Sequence, residues 1–128
     1  MKPSILLIFS LLTLLNCKTS QLKPINLDGT TWQLKNMIKE SVAQSVSLSF
    51  KGDKIEGESF CNQYFSNYEA GDGKISIEAV GATKRSCPLM NMEQQFFELL
   101  TTVNTYRMKD GELYLQSEQG NLIFEPSK

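Results

Sequence analysis

The segment Ser45-Val46-Ser47-Leu48-Ser49-Phe50-Lys51-Gly52-Asp53 alternates serine with apolar residues and then breaks on a glycine turn. A period of two sends Val46, Leu48 and Phe50 to one face and the serines to the other, which is the pattern of a half-buried strand. The Lys51-Gly52-Asp53 break predicts a reversal into an antiparallel partner. Outward along the chain the same combination recurs. Ile75 and Ile77 alternate with Lys74, Ser76 and Glu78 after Gly71-Asp72-Gly73. Tyr106 and Met108 alternate with Arg107 and Lys109 ahead of Asp110-Gly111. Leu113-Tyr114-Leu115 and Leu122-Ile123-Phe124 flank Gln119-Gly120-Asn121, and a first strand is expected from about Thr31 to Met37. Short alternating runs divided by tight turns predict a mainly antiparallel sheet.

One segment departs from this period. Leu89, Met92, Phe96, Leu99, Leu100 and Val103 recur at helical spacing, Pro88 lies just upstream, and Asn91 with Gln94 reads as a capping pair. A helix is predicted from about Asn91 to Val103. A lone helix cannot bury its own apolar stripe, so it must pack on the sheet, giving an α+β fold. Its Met and Phe residues read as core before they read as a ligand pocket. No internal repeat or second-domain boundary interrupts the chain.

Composition narrows the function. Thirteen basic residues nearly balance fourteen acidic ones, and the only adjacent basic pair is Lys84-Arg85, read as a solvated strand end. Nucleic acid is therefore not an expected partner, since phosphate neutralisation needs clustered Lys and Arg. Histidine is absent, which removes Ser-His-Asp and Cys-His catalysis and the commonest metal ligand. No cofactor or metal is implied, and an enzyme would depend on carboxylates, lysine or tyrosine.

The chain starts Met1-Lys2-Pro3, and Ile5 to Leu15 reads ILLIFSLLTLL. As a helix these residues span about 16 Å, against about 30 Å for a bilayer core. The stretch is too short to cross and has the length of a signal-peptide core, so residues 1–16 are expected to be removed. The plain alternative is a buried N-terminal helix. Leu14-Leu15-Asn16-Cys17 resembles a bacterial lipobox, in which the cysteine is acylated, although Asn16 stands where Gly, Ala or Ser is usual. Cys17 is the expected lipidation site; the competing reading is ordinary cleavage nearby with Cys17 discarded or left free. Two acyl chains suffice for stable anchoring. Residues 17–26 would then be the anchor cysteine and a polar tether with one proline. Lys18 is not the aspartate that marks inner-membrane retention, which favours an outer-membrane lipoprotein of the cell envelope.

If lipid takes Cys17, Cys61 and Cys87 remain as a pair. In an oxidising compartment two cysteines usually bond, and closing a loop of about 27 residues would contribute about 3.5 kcal/mol. Two buried free thiols are the main alternative. A redox or metal role is disfavoured, because there is no Cys-x-x-Cys arrangement.

Four stretches then resemble one family. Leu27 to Leu34, LDGTTWQL, is similar to the opening L-x-G-T-x-W-x-L of the META/HslJ-like domain. Gly57 to Asn62 resembles its G-x-x-G-C-N, Thr83 to Pro88 its T-x-x-x-C-P, and Glu93 to Leu100 its E-x-x-F-x-x-x-L helix. The resemblance covers residues 27–126. It implies a curved, barrel-like antiparallel sheet with one packed helix, in envelope proteins that are often lipoproteins and are tied to heat-shock or stress responses. It brings no catalytic residues, and it places Cys61 and Cys87 at the family's two cysteine positions. Phe60 stands where the family has glycine. Asn62 and Thr83 are motif positions expected to satisfy loop or strand-edge backbone groups.

The leading expectation is a non-catalytic binding or scaffolding module, held to a membrane by its N-terminal lipid and engaging an envelope protein partner. A pilot-like variant would hold an acyl chain or partner helix in an apolar cavity lined by Phe50, Phe65, Phe96 and Leu100. A carboxylate enzyme would use Glu56 and Glu58, two apart on one strand face. An inhibitor of an envelope hydrolase would present the loop Gly81 to Met90.

Overall fold

The protein is described by a computed structural model over residues 25–128. The expected signal peptide, Cys17 and most of the expected tether lie outside the described residues. Ten strands and one helix follow in order: β1 Thr31–Met37, β2 Glu40–Ser41, β3 Ser47–Lys51, β4 Lys54–Glu58, β5 Gln63–Gly71, β6 Lys74–Ile77, β7 Gly81–Ala82, α1 Met90–Thr102, β8 Thr105–Lys109, β9 Glu112–Ser117 and β10 Gly120–Pro126. The α+β class and the expected strands are all found, with β1 over the residues expected of it.

Every pairing is antiparallel, in the order β10-β9-β8-β6-β5-β4-β3-β1-β2, and β1 also pairs with β10, from Trp32↔Pro126 to Met37↔Leu122. The sheet thus curls into a ring. It is not an evenly laddered barrel, because β6 meets β8 through a single register pair, Lys74↔Thr105. Short β7 pairs the start of β5, and β6 pairs its end.

Turn chemistry sets these reversals. Asp72-Gly73 and Asp110-Gly111 all have positive φ, the geometry of a two-residue hairpin turn whose twist matches the strands. The opening motif is itself a turn. Asp28 Oδ1 accepts from Gly52 N at 2.7 Å, and Trp32 Nε1 donates to Thr30 Oγ1 at 2.8 Å, tying the buried indole to the turn. Gly57 has a different reason: a Cβ there would sit 2.1 Å from the Ser47 carbonyl oxygen. Its absence lets β3 and β4 approach and lets the Tyr64 hydroxyl donate to that same oxygen at 2.6 Å. Burial pushes the Tyr64 phenol up, so it stays a donor.

Alternation fills the ring. Val46, Leu48, Phe50, Ile55, Leu113, Leu115, Leu122 and Phe124 are fully buried, and α1 adds Phe96 and Leu100. Each such side chain contributes about 1.5–3 kcal/mol relative to exposure. Phe96 packs edge-on to Tyr64, with centroids 5.5 Å apart, and to Phe60 at 6.2 Å. Phe60, the departure from the family's glycine, therefore becomes part of the packing under α1.

Two expectations need correction. The helix begins one residue early and does not use the Asn91–Gln94 pair: Leu89 is the N-cap, without a side-chain hydrogen bond, and Gln94 donates to Glu98 Oε1 instead. The apolar cavity is not formed by the residues proposed for it. Phe50, Phe96 and Leu100 have no exposed surface, whereas Phe65 is 64% exposed on the outer face.

Candidate functional site

The motif residues converge beside the N-terminal end of α1. The turn Ser59–Asn62, joining β4 to β5, folds over the Glu93 carboxylate. Cys61 N and Asn62 N donate to Oε2 at 2.8 and 2.9 Å, the Ser59 hydroxyl donates to the same oxygen, and Asn62 Nδ2 donates to Oε1 at 2.6 Å. Glu93 is only 6% exposed. Burial pushes its carboxyl up, but the bonds from Ser59, Asn62 and the backbone N–H groups of Cys61 and Asn62 outweigh it and hold the group below its usual value. A helix's first turn is also where an anion is favoured.

Asn62 spends all four of its hydrogen-bonding positions. Its Oδ1 accepts from Thr83 Oγ1 at 2.9 Å and Arg85 N at 2.6 Å, and its Nδ2 donates to Arg85 O at 3.2 Å as well as to Glu93. The expectation that Asn62 and Thr83 satisfy backbone and loop groups is met. Cys61 and Cys87 are joined as a disulfide with Cα atoms 5.7 Å apart. The loop leading to α1 is thus tied down at Thr83, Arg85 and Cys87, while Lys84 and Ser86 stay exposed. With its acceptors taken, this cluster is a brace and offers nothing to a substrate.

Thr83, the brace residue nearest the sheet, lines one side of an open groove of about 550 Å³ on the outer face. Register aligns two rows across it. Thr31, Ser49, Glu56, Phe65 and Gly81 form one, successive residues being cross-strand partners on β1, β3, β4, β5 and β7. The second row carries Ser47, Glu58, Gln63 and Thr83. Glu58 is the register partner of Gln63 and donates its N–H to Ser47 Oγ at 2.9 Å, and Gln63 N donates to Thr83 Oγ1 at 3.2 Å. The Phe65 ring lies over Gly81, where a Cβ would come within 2.6 Å of it. An aromatic ring covering the bare backbone of a facing glycine is a recognised way to support a sheet.

Glu56 and Glu58 do share one face, as their spacing required. Glu56 pairs with Lys51 Nζ and its side chain is 53% exposed. A surface this wet lacks the water-excluded setting that tunes general acid–base pairs. A second concavity, of about 640 Å³, lies between α1 and Ala79-Val80, with Met90 and Phe97 on its helix side. No helix among the described residues is long and apolar enough to cross a membrane.

Residues 25–128 match the META domain family over their whole length. The chain belongs to this family. Solved structures share the fold. A protein from Burkholderia xenovorans is 25% identical with a TM-score of 0.66, over 80% of this chain and 84% of that one. A DUF4847 family protein from Bacteroides vulgatus is 14% identical with a TM-score of 0.60, over 80% and 95% of the two chains, and this likeness concerns the fold alone. No curated protein matches the sequence at a significant level. Within this META domain three of the four family motifs meet in the brace, while the opening one forms the turn before β1, and Glu93 is the member that motif reading leaves on the helix without a partner. Its position three residues before Phe96 and seven before Leu100, inside the apolar stripe, was the available signal.

Proposed function

We propose that this META domain protein is an exported, lipid-anchored, non-catalytic binding module of the bacterial cell envelope, serving in the stress response. The observation that carries the binding reading is the division of labour in the domain. The motif polar groups are consumed in the brace, while the outward groove keeps an exposed Phe65 beside Glu58 and Gln63, whose side chains have no hydrogen-bond partner among the described residues. The anchoring part rests on the apolar start and Cys17.

Labelling cells with radioactive palmitate tests the anchor. The wild-type chain takes up label and sediments with outer membranes, and Cys17→Ser abolishes both. Label that persists in Cys17→Ser, or a wild-type chain found free and unlabelled, refutes lipidation. The inhibitor reading keeps one specific support, the loop pinned at Thr83, Arg85 and Cys87 with Lys84 and Ser86 exposed between the ties. Inhibition of an envelope hydrolase that is lost in a Lys84→Ala, Ser86→Ala variant would favour it.

A further inference from the structure

We propose that the outer groove across β3, β4, β5 and β7 binds saccharides that carry a free amine. This deepens the binding-module reading and rests on it. The β4–β5 and β5–β7 ladders run beneath the groove, and past Ser49↔Glu56, where β3 and β4 stop pairing, Glu58 N donates to Ser47 Oγ and Ser47 O accepts from the Tyr64 hydroxyl, so the backbone there is already engaged. A peptide laid there gains no main-chain pairing, which is the usual source of affinity for an extended segment on a sheet. Recognition must come from side chains.

Those side chains suit a sugar. Phe65 offers an apolar surface to the C–H face of a pyranose. Gln63 brings an amide that both donates and accepts, and the Ser47 hydroxyl, which accepts from Glu58 N, keeps its proton to donate. Ligand hydroxyls match such mixed donors and acceptors, whereas an ammonium alone could use only the acceptors. Charge selects further. Glu56 and Glu58 face the groove, and among the described residues Glu56 is ion-paired, with Lys51, while Glu58 is not. The uncompensated Glu58 carboxylate next to an exposed ring favours an amine and repels uronic or sialic acids. The volume of about 550 Å³ lies within the usual range of small-ligand sites, about 300–1,000 Å³.

The test titrates the full chain, produced in a bacterial host and purified in detergent, with a glucosamine tetramer by calorimetry. Saturable binding is expected. Phe65→Ala should weaken it about tenfold and Phe65→Tyr less than about threefold, while Glu58→Gln and an N-acetylated tetramer should each cost about fivefold. Cooperative melting well above the assay temperature confirms that each variant folds, a modest loss being expected for Phe65→Ala. No saturable binding overturns the proposal. So does a tetralysine peptide binding as tightly as the sugar, an N-acetylated tetramer binding equally well, or a Phe65→Ala variant that binds like wild type. Acylation is measured separately: a chain that is labelled at Cys17 yet ignores the tetramer defeats this inference alone, and a chain that binds it without being labelled defeats only the anchor.

Discussion

Replacing Glu93 with alanine removes the acceptor on which the Ser59–Asn62 turn is folded. The cost follows from what each donor has left. The Ser59 hydroxyl still lies 2.8 Å from the Asn62 carbonyl oxygen, and Asn62 Nδ2 still reaches Arg85 O. Asn62 N falls back on Ser59 Oγ at 3.4 Å, a poor bond, and Cys61 N has nothing. An orphaned donor costs about 1–3 kcal/mol, and bonds to a charge are worth more than neutral ones, so Glu93→Ala should lose about 3 kcal/mol. For a domain of this size that lowers Tm by on the order of 15 °C. The assay is urea unfolding of residues 25–128, a piece that holds the whole core, followed by fluorescence of the single, buried Trp32. Glu93→Gln, which keeps one acceptor oxygen but turns an NH₂ toward other donors, should lose less. A loss below about 1 kcal/mol for Glu93→Ala would refute the brace.

The same carboxylate sets a pH dependence with a definite sign. Its folded pKa lies below the ordinary value of 4.5. The unfolded chain therefore takes up the proton first as pH falls. The stabilisation is complete above about pH 4.5 and is lost as pH drops through the lower folded value. Glu93→Gln should flatten this part of the stability profile, and an unchanged slope in that variant would assign it to other groups.

Asn62→Asp replaces a donor 2.6 Å from Glu93 Oε1 with a second carboxylate. One of the two pKa values must rise, so the variant should be destabilised at pH 7 and recover as pH falls, seen as a Tm that climbs on mild acidification. Gly57→Ala puts a methyl 2.1 Å from Ser47 O and should cost about 2 kcal/mol, whereas Gly71→Ala meets nothing within 4 Å and should leave the unfolding midpoint nearly unchanged. Converting Cys61 and Cys87 to serine opens a loop with a sequence separation of 26 and should lower stability by about 3.5 kcal/mol in the same urea assay.

What was legible followed from local period. Strand parity and the helical stripe are properties of neighbouring residues, and β1, β3, β6 and α1 fall where those periods place them. Ring closure was not legible, because β1 and β10 lie at opposite ends of the domain and no local pattern states which edges meet. The helix start misled for a related reason: Asn91 and Gln94 have capping spacing, but side chains on one turn can also bond along the helix, as Gln94 does with Glu98. The chemistry of Phe65 suits a cavity, yet strand parity argues otherwise. Tyr64, Ser66 and Tyr68 point inward on β5, so Phe65 had to point out.

The brace and the groove are one construction, and Thr83 is the joint. Its hydroxyl donates to Asn62 Oδ1 and accepts from Gln63 N, so the side chain that closes the polar cluster also fixes the groove's far wall. The disulfide at Cys87 and the Arg85 ties hold the chain just beyond it, which keeps Gly81 under the Phe65 ring. A motif that looks functional because it is polar is here the support, and the chemistry available to a ligand stands on residues between the motif positions: Glu58, Gln63 and Phe65. On this arrangement the brace should tune ligand affinity without touching the ligand. Thr83→Val removes the hydroxyl while keeping the shape, frees Gln63 N and Asn62 Oδ1, and should weaken binding of the glucosamine tetramer about threefold while the domain stays folded. An affinity equal to wild type in Thr83→Val would separate the two halves of the construction and leave the brace a matter of stability alone.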